Sequence, residues 1–425
     1  MVGTTIEWYD FQLYGLSAAL VFSQVFFPES STTAGTLASF GVFALGFFAR
    51  PLGGIIFGHF GDRIGRKNVL LVTLILMGFS TFAVALIPSF DSIGLWAPTL
   101  LILMRLLGGL ALGGEWGGAV LLSVEHAPSG RRGLYGALPQ MGSPAGFLVA
   151  TTVFTIVTAS MSEEAFLDWG WRIPFLLSGA LVVVGLYIRA RVEETPVFLE
   201  QEGGEQRKVP IVQVFRKQRT TVFLAIGAFA LSSGGYYVYA TYMVSYATKT
   251  LGVATTVMAI SGIVFSIGGL TGAITAALIS DRIGRRPVFM TVAVFTIVYA
   301  YPLFWLVQTQ NSALIWIALA FGGLANGSVY GLMGSIMVEI FEPSVRYTGA
   351  SLGQQVSAGL VGGTTPLIVT ALVASAGSVW PAPTWLIVLG LVSLICVFAL
   401  PETFKRDIYG NYGTPIAHKE PALEK

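Results

Sequence analysis

The sequence predicts an all-α integral membrane protein of 12 transmembrane helices arranged as two six-helix bundles, and three observations predict it. Charged residues are 11% of the 425-residue chain and hydrophobic residues 54%, with a mean hydropathy of +0.74. A soluble domain carries about 25% charged residues, and it needs polar cover that this chain does not have. Apolar stretches of roughly 20 residues, the length that crosses a hydrocarbon core, follow one another along the chain. Finally, the chain repeats itself once.

The first six stretches run over residues 5–27, 36–60, 69–88, 98–122, 134–160 and 172–190. The second six run over 220–246, 253–279, 287–308, 313–340, 348–375 and 382–401. The expected organisation is therefore a first bundle (1–190), a cytoplasmic linker (191–219), a second bundle (220–401) and a cytoplasmic tail (402–425). Positive charge tests this count, because cytoplasmic loops collect Lys and Arg. With the N-terminus placed in the cytoplasm, all but four of the 24 basic residues fall in the even-numbered loops, the linker or the tail. The exceptions are Arg172 and Lys249 on the far side, and Arg50 and Arg105 within spans. A wrong span count would scramble that sorting, so both termini are expected in the cytoplasm of a bacterial cell, with the chain in its cytoplasmic membrane. Glu7 and Asp10 interrupt the first apolar stretch, unlike a cleaved signal peptide, and the sequence leaves open a start upstream of Met1.

The repeat lies in two loops. Gly58–Lys67 reads GHFGDRIGRK and Ala277–Arg286 reads ALISDRIGRR, with Asp62 and Asp281 separated by 219 positions. A second echo, at 214, pairs Gly108-Gly109-Leu110 with Gly322-Gly323-Leu324, and Glu125 and Arg132 with Glu339 and Arg346. Parallel repeats about an axis along the membrane normal are a known transporter plan, with the ligand held near the midplane between halves.

Several function classes are excluded or unsupported. A net charge of +2 does not suit a nucleic-acid partner. The single cysteine, Cys396, and the three histidines without an HExxH pattern give no metal site. No glycine-rich loop is followed by the lysine and hydroxyl of an ATP-binding P-loop, and no Ser/His/Asp set suggests an enzyme. No cofactor is expected.

Charges inside the bilayer point elsewhere, since each costs on the order of 2.5–3.5 kcal/mol and such residues face cavities and serve function. Glu7, Asp10 and Tyr14 share one face of span 1. Arg50 stands 12 residues before Asp62, about 18 Å along a helix and hence near the midplane. Arg105 and Glu115 lie in span 4. The plain alternative is that these charges pair with one another and merely hold spans 1, 2 and 4 together. The second half has no equivalents. It has instead a tyrosine-rich span 7, SSGGYYVYATYMVSY, in which Tyr236 and Tyr239 are candidate pocket residues. Tyr242 and Tyr246 suit either the pocket or an outer aromatic belt. Ser232–Gly235 could break the helix and expose carbonyls. Gln354 and Gln355 of span 11 could contact a ligand or bond between helices. In span 4, Gly109, Gly113 and Gly117 form tandem GxxxG spacing, which favours close helix approach.

These loops resemble the signature of the major facilitator superfamily. EWYDFQLYG (Glu7–Gly15), ARPLGGIIFGHFGDRIGRK (Ala49–Lys67), RLLGGLALGGEWGGA (Arg105–Ala119) and GWRIPF (Gly170–Phe175) resemble its metabolite:proton symporter branch, whose members are permeases for α-ketoglutarate, citrate, shikimate and zwitterionic osmolytes. The second-half loop departs from the signature, with Ala277 in place of the leading glycine. The resemblance implies a major facilitator fold and a proton-coupled importer of a small organic acid, with proton and metabolite as its partners, the bilayer as its environment and the monomer as its working unit. The alternatives are uptake of a betaine- or proline-like osmolyte, and export or exchange of amphipathic compounds. Among the charges within the membrane Asp10 is the candidate proton carrier, with Glu7 and Glu115 as further candidates, and Arg105 resembles the superfamily's span 4 arginine, which implies a part in proton transfer. The resemblance places substrate on Arg50, through the matching arginine of the α-ketoglutarate permeases, and side-chain chemistry and spacing add Tyr14, Tyr236, Tyr239, Gln354 and Gln355 around it. In an apolar cavity a carboxyl holds its proton more tightly and a nearby arginine loosens it, so substrate arriving at an arginine can move a proton. It also implies a conformational latch made by Gly58, Asp62, Arg63, Gly65, Arg66 and Lys67, by Asp281, Arg282, Gly284, Arg285 and Arg286, and by Glu125, Arg132, Glu339 and Arg346. Basic loops set by topology alone are the plain alternative.

The latch gives a first prediction. Asp62→Asn should lower uptake roughly tenfold or more, the effect of about 1.4 kcal/mol on the balance of states, while expression and membrane insertion stay normal. Wild-type uptake by that variant would sink the latch.

Overall fold

The computed structural model describes residues 2–64, 66–113, 116–128, 130–190, 210–343 and 345–406. Twelve helical rods account for the bulk of them. Span 1 is Val2–Leu20, span 2 Thr32–Ile64, span 3 Arg66–Leu86, and span 4 Trp96–Leu112 continued by Trp116–Glu125. Span 5 is Arg132–Gln140 with Gly142–Ala159, and span 6 Arg172–Ala190. Span 7 is Pro210–Ala228, Ala230–Tyr237 and Met243–Lys249. Spans 8, 9 and 10 are Thr255–Ile283, Arg285–Gln308 and Ser312–Ile340. Span 11 is Arg346–Ser357 with Thr365–Ala376, and span 12 is Pro381–Ala399.

Among the described residues, 8 of these helices are long and apolar enough to cross a membrane on those grounds alone. Span 1 is not one of them, and its packing gives the reason. Its polar residues Glu7, Asp10, Gln12 and Ser17 are all buried inside the bundle. Elsewhere the pattern inverts. Phe48, Leu52 and Ile56, one turn apart on span 2, are exposed, as are Val298, Ile395 and Phe398. Apolar outside and polar inside is what lipid as solvent selects.

Spans 1 and 5, 2 and 4, and 3 and 6 pack in the first half; 8 and 10, 9 and 12, and 7 and 11 pack in the second. The halves meet where span 5 crosses spans 8 and 10, where span 1 crosses span 7, and where span 2 crosses span 11. Glycines set the closest approaches. A Cβ on Gly109 would run into the Gly46 carbonyl and one on Gly113 into the Arg50 carbonyl. At the same repeat offset, Gly323 and Gly327 of span 10 lie on the Phe265 and Gly269 carbonyls of span 8. Both bundles are thus held by one backbone-to-backbone device, used twice.

Three local expectations change. Part of the expected linker, from Pro210 onward, is helical and joins span 7 across a kink at Gln218 (φ −138°, ψ 37°). The Ser232–Gly235 stretch is helical, and the irregularity falls one turn later, in a wide π-helical turn at Val238–Tyr242. Tyr242 and Tyr246 do not face lipid: both are buried, their rings stacked 6.1 Å apart.

Gly109→Val should force spans 2 and 4 apart, since overpacking costs about 1–3 kcal/mol. The expected readouts are a lower melting temperature and aggregation in size-exclusion chromatography; an unchanged melt would mean that the Gly109–Gly46 contact is not tight.

Candidate functional site

Arg50 projects from span 2 and Arg105 from span 4, brought together by the glycine contacts just described. Gly46 leaves space for the Arg105 guanidinium, which a Cβ there would strike. Both arginines are almost wholly buried, and no ion pair among the described residues neutralises either. Aromatic rings surround them instead. The Arg50 guanidinium carbon lies 4.2 Å from the Phe11 ring centre, 4.6 Å from Phe47 and 5.8 Å from Trp8. That of Arg105 lies 4.2 Å from Phe11, 4.3 Å from Tyr14 and 4.8 Å from Phe43. Such contacts stabilise a desolvated cation by about 2 kcal/mol each.

The donors left over define what the site can hold. Arg105 gives its Nε–H to the Phe43 carbonyl at 3.3 Å, and its Nη2 has no partner. Arg50 has neither Nε nor Nη2 engaged. Those two groups form the side-on fork that takes a carboxylate with two parallel hydrogen bonds. The second half closes over them. Tyr237 packs against Phe43 and Phe47, each 5.3 Å away, and Tyr330 meets Trp8 at 6.5 Å. The hydroxyls of Tyr14, Tyr236 and Tyr239 and the side-chain oxygens of Gln354 and Gln355 are buried without a hydrogen-bond acceptor or donor in contact.

Asp10 points the other way, into the first bundle. With Tyr14, Ser80, Thr81, Met104 and Arg105 it lines a cavity of about 20 Å³ between spans 1, 3 and 4, enough for one water molecule. Ser178 of span 6 stands beside its carboxyl, though not in hydrogen-bonding geometry. Glu7 is buried on the same helix. Glu115 lies outside the described residues.

The expected latch residues divide. The side chains of Gly58, Asp62, Arg63, Arg66 and Lys67, and the whole of Gly65, lie outside the described residues. Their second-half counterparts form a network. Asp281 accepts hydrogen bonds from the backbone N–H groups of Gly133 (2.8 Å) and Leu134 (3.0 Å), capping the first turn of span 5 in the other half. Arg285 binds Asp281 at 2.7 Å and Glu339 at 3.2 Å. Gly284 makes the turn with φ +108°, in the region that favours glycine. Arg346 crosses to Glu125 at 3.3 Å, so among the described residues Glu339 pairs with Arg285 and Glu125 with Arg346. Arg132 donates instead to the Arg406 carbonyl at 2.8 Å. Arg282 is exposed, and Arg286 donates to the Phe398 carbonyl at 2.6 Å.

Residues not singled out from the sequence complete this end. Glu402 caps the start of span 9 through the Arg285 and Arg286 N–H groups, and Thr403 donates to Glu339 at 2.6 Å. At the opposite end Lys249 reaches across to Ser23 (2.7 Å) and Thr36 (3.1 Å). The halves therefore touch at both ends, with the arginines shut between them. Tyr237, Tyr330, Phe11 and Phe47 were missed because aromatics are ordinary in a membrane span; only their convergence on a cation marks them.

Residues 2–363 match the family model described as Major Facilitator Superfamily. The chain is 37% identical to a shikimate transporter of Escherichia coli K12 over 390 residues, 89% of this chain and 87% of that one. It is 34% identical to a proline/betaine transporter of Escherichia coli K12 over 426 residues, 98% and 84% of the two chains. The fold matches a solved structure of the xylose transporter XylE from E. coli, with a TM-score of 0.73 at 18% identity, covering 96% of this chain and 97% of that chain.

Asp281→Asn removes the charge that holds both span 5 and Arg285. A cysteine placed at Ser335, where spans 5 and 10 touch, should then be alkylated several-fold faster in a Cys396→Ser background. An unchanged rate would show that Asp281 does not hold this end shut.

Proposed function

This chain belongs to the Major Facilitator Superfamily and is a multi-pass membrane transporter, and from that premise we propose that it is a proton-coupled symporter taking up a small organic acid by alternating access. The observation that supports this reading is the unpartnered Nε/Nη2 fork of Arg50, buried at the junction of the halves. It is the group a substrate carboxylate would engage. Asp10, in its water-sized cavity beside Arg105, is the proton carrier in this reading, and Arg105 links the two events because its guanidinium borders both that cavity and the Phe11 ring it shares with Arg50. A neutral Asp10 is cheap to carry through a closed intermediate, whereas a carboxylate there is costly. Loading a carboxylate and a proton together therefore leaves the net charge that must be enclosed unchanged.

In the same reading the DRIGR loops and both termini face the cytoplasm, the chain works as a monomer, and the proton gradient is the energy source, with no cofactor. The shikimate transporter relative favours an acid. The proline/betaine relative favours a zwitterionic osmolyte as the second reading.

The test is uptake into proteoliposomes with and without an imposed pH gradient. Asp10→Asn should lose pH-driven accumulation, by about tenfold or more, and keep exchange down a substrate gradient. Accumulation by that variant at the wild-type level would exclude Asp10 as the proton carrier.

A further inference from the structure

We propose that Phe11 sets substrate selectivity: its ring holds Arg50 and Arg105 as one paired anion site, and this arrangement admits carboxylates while shutting out quaternary-ammonium zwitterions. The inference rests on the placement of substrate at Arg50 in the reading above, but not on proton coupling.

Two distances make the case. Each guanidinium carbon lies 4.2 Å from the Phe11 ring centre, so the two cations are no more than twice that distance apart. Like charges this close in a dry interior would splay or lose their protons without an opposing charge. The shared ring holds them in place instead, and it does so without consuming their donors. Arg50 keeps Nε and Nη2 available, and Arg105 keeps Nη2. A carboxylate instead of Phe11 would occupy those donors and close the site to an incoming anion.

The same rings decide what is refused. An onium group is recognised by aromatic faces. Here Trp8, Phe11, Tyr14, Phe43 and Phe47 already have a guanidinium over them. An ammonium entering this centre would meet two uncompensated cations and five rings whose faces are already taken. A zwitterion brings both charges at once, so the gain at the Arg50 fork is offset by repulsion of its cationic end. The nearby unpartnered hydroxyl of Tyr14 and the Gln355 side-chain oxygen suit a substrate that carries hydroxyl or keto groups beside its carboxylate.

The experiment is ligand-dependent melting of the purified full chain in detergent. The probes are shikimate, α-ketoglutarate and glycine betaine at equal millimolar concentrations, below those at which an osmolyte stabilises by exclusion. At least one carboxylate should raise the melting temperature saturably, and betaine should neither raise it nor displace that carboxylate. Phe11→Leu should weaken carboxylate binding about tenfold or more, while Phe11→Tyr, which keeps the ring, should bind within a few-fold of wild type. Betaine that competes with the carboxylate overturns the proposal. So does a carboxylate panel that leaves the melt unmoved, or a Phe11→Leu variant of wild-type affinity. If Phe11→Leu does not fold, the betaine competition and Phe11→Tyr still decide, and loss of binding in Phe11→Tyr overturns it. Carboxylate binding without proton-driven accumulation would sink the coupling and leave this inference standing; betaine competition would do the reverse.

Discussion

Two guanidinium groups enclosed without a carboxylate partner among the described residues are the constraint on which the rest of the first half depends. Burial of an uncompensated cation is among the most expensive choices a fold can make. The chain accommodates it through geometry. Gly109 and Gly113 let span 4 sit directly on span 2, Gly46 clears the space that the Arg105 side chain fills, and five rings take up the charge through their faces. Span 1 contributes Trp8, Phe11 and Tyr14 at helical spacing, alongside Asp10, which is why it is too polar to resemble a membrane span by hydropathy alone. Each of these features would be a weakness in a purely structural bundle.

The two ends of the molecule are closed by different chemistry. At the end carrying the repeated loops, the contacts are ionic and shared: Asp281, Arg285, Glu339, Thr403 and Glu402 on one side, with the first turn of span 5, Glu125 and Arg132 on the other. Buried ion pairs give little net stability, because desolvation offsets attraction. The contacts that cross between the halves, Asp281 to the first turn of span 5 and Arg346 to Glu125, are the ones that depend on how the halves are arranged, which is what a two-state machine requires. The opposite end relies on one ammonium, Lys249, and two hydroxyls. Its two hydrogen bonds, each worth on the order of 1–3 kcal/mol when one partner is charged, stand against the Asp281 cap of span 5, the Glu125–Arg346 pair and the Arg132 bond to the Arg406 carbonyl at the other end.

Much of this was legible in the sequence, for definite reasons. Charge sorting and apolar length found the twelve spans, because hydrocarbon thickness and the cost of moving charge across it act on every residue alike. The repeat pointed to the second-half loop network, because Asp281 with Gly284 and Arg285 is a local motif. The pairing of that network was not legible. Equal spacing suggested Glu339 with Arg346 and Glu125 with Arg132 as matched units, yet Glu339 joins Arg285 within the second half and Glu125 joins Arg346 across the halves. Sequence offset reports which residues are equivalent, not which are in contact. The role of Phe11 was hidden for a related reason: of 29 phenylalanines, nothing but tertiary position distinguishes the one between two arginines. The helical start of span 7 at Pro210 was hidden by its charges, since RKQR reads as loop until a partner helix is known.

Site and latch also share one helix, which gives the asymmetry between halves a mechanical sense. Span 11 begins at Arg346, bound to Glu125. Two turns on, Gln355 donates to the Gly113 carbonyl at 3.3 Å, and Gly113 is the residue seated on the backbone of Arg50. Beyond it, the wide turn at Ala358–Gly362 passes Tyr237, which covers the arginine pair. An anion that drew Arg50 toward its fork would therefore press on span 4 and the Gln355 contact together. Continuity of this kind is not coupling by itself; coupling needs an element with two discrete positions. Span 11 is suited to be that element, since its π-helical turn can shift by a residue without breaking the rod, and its far end holds an ion pair between halves. The charged half would then sense the substrate, while the tyrosine half moves in response.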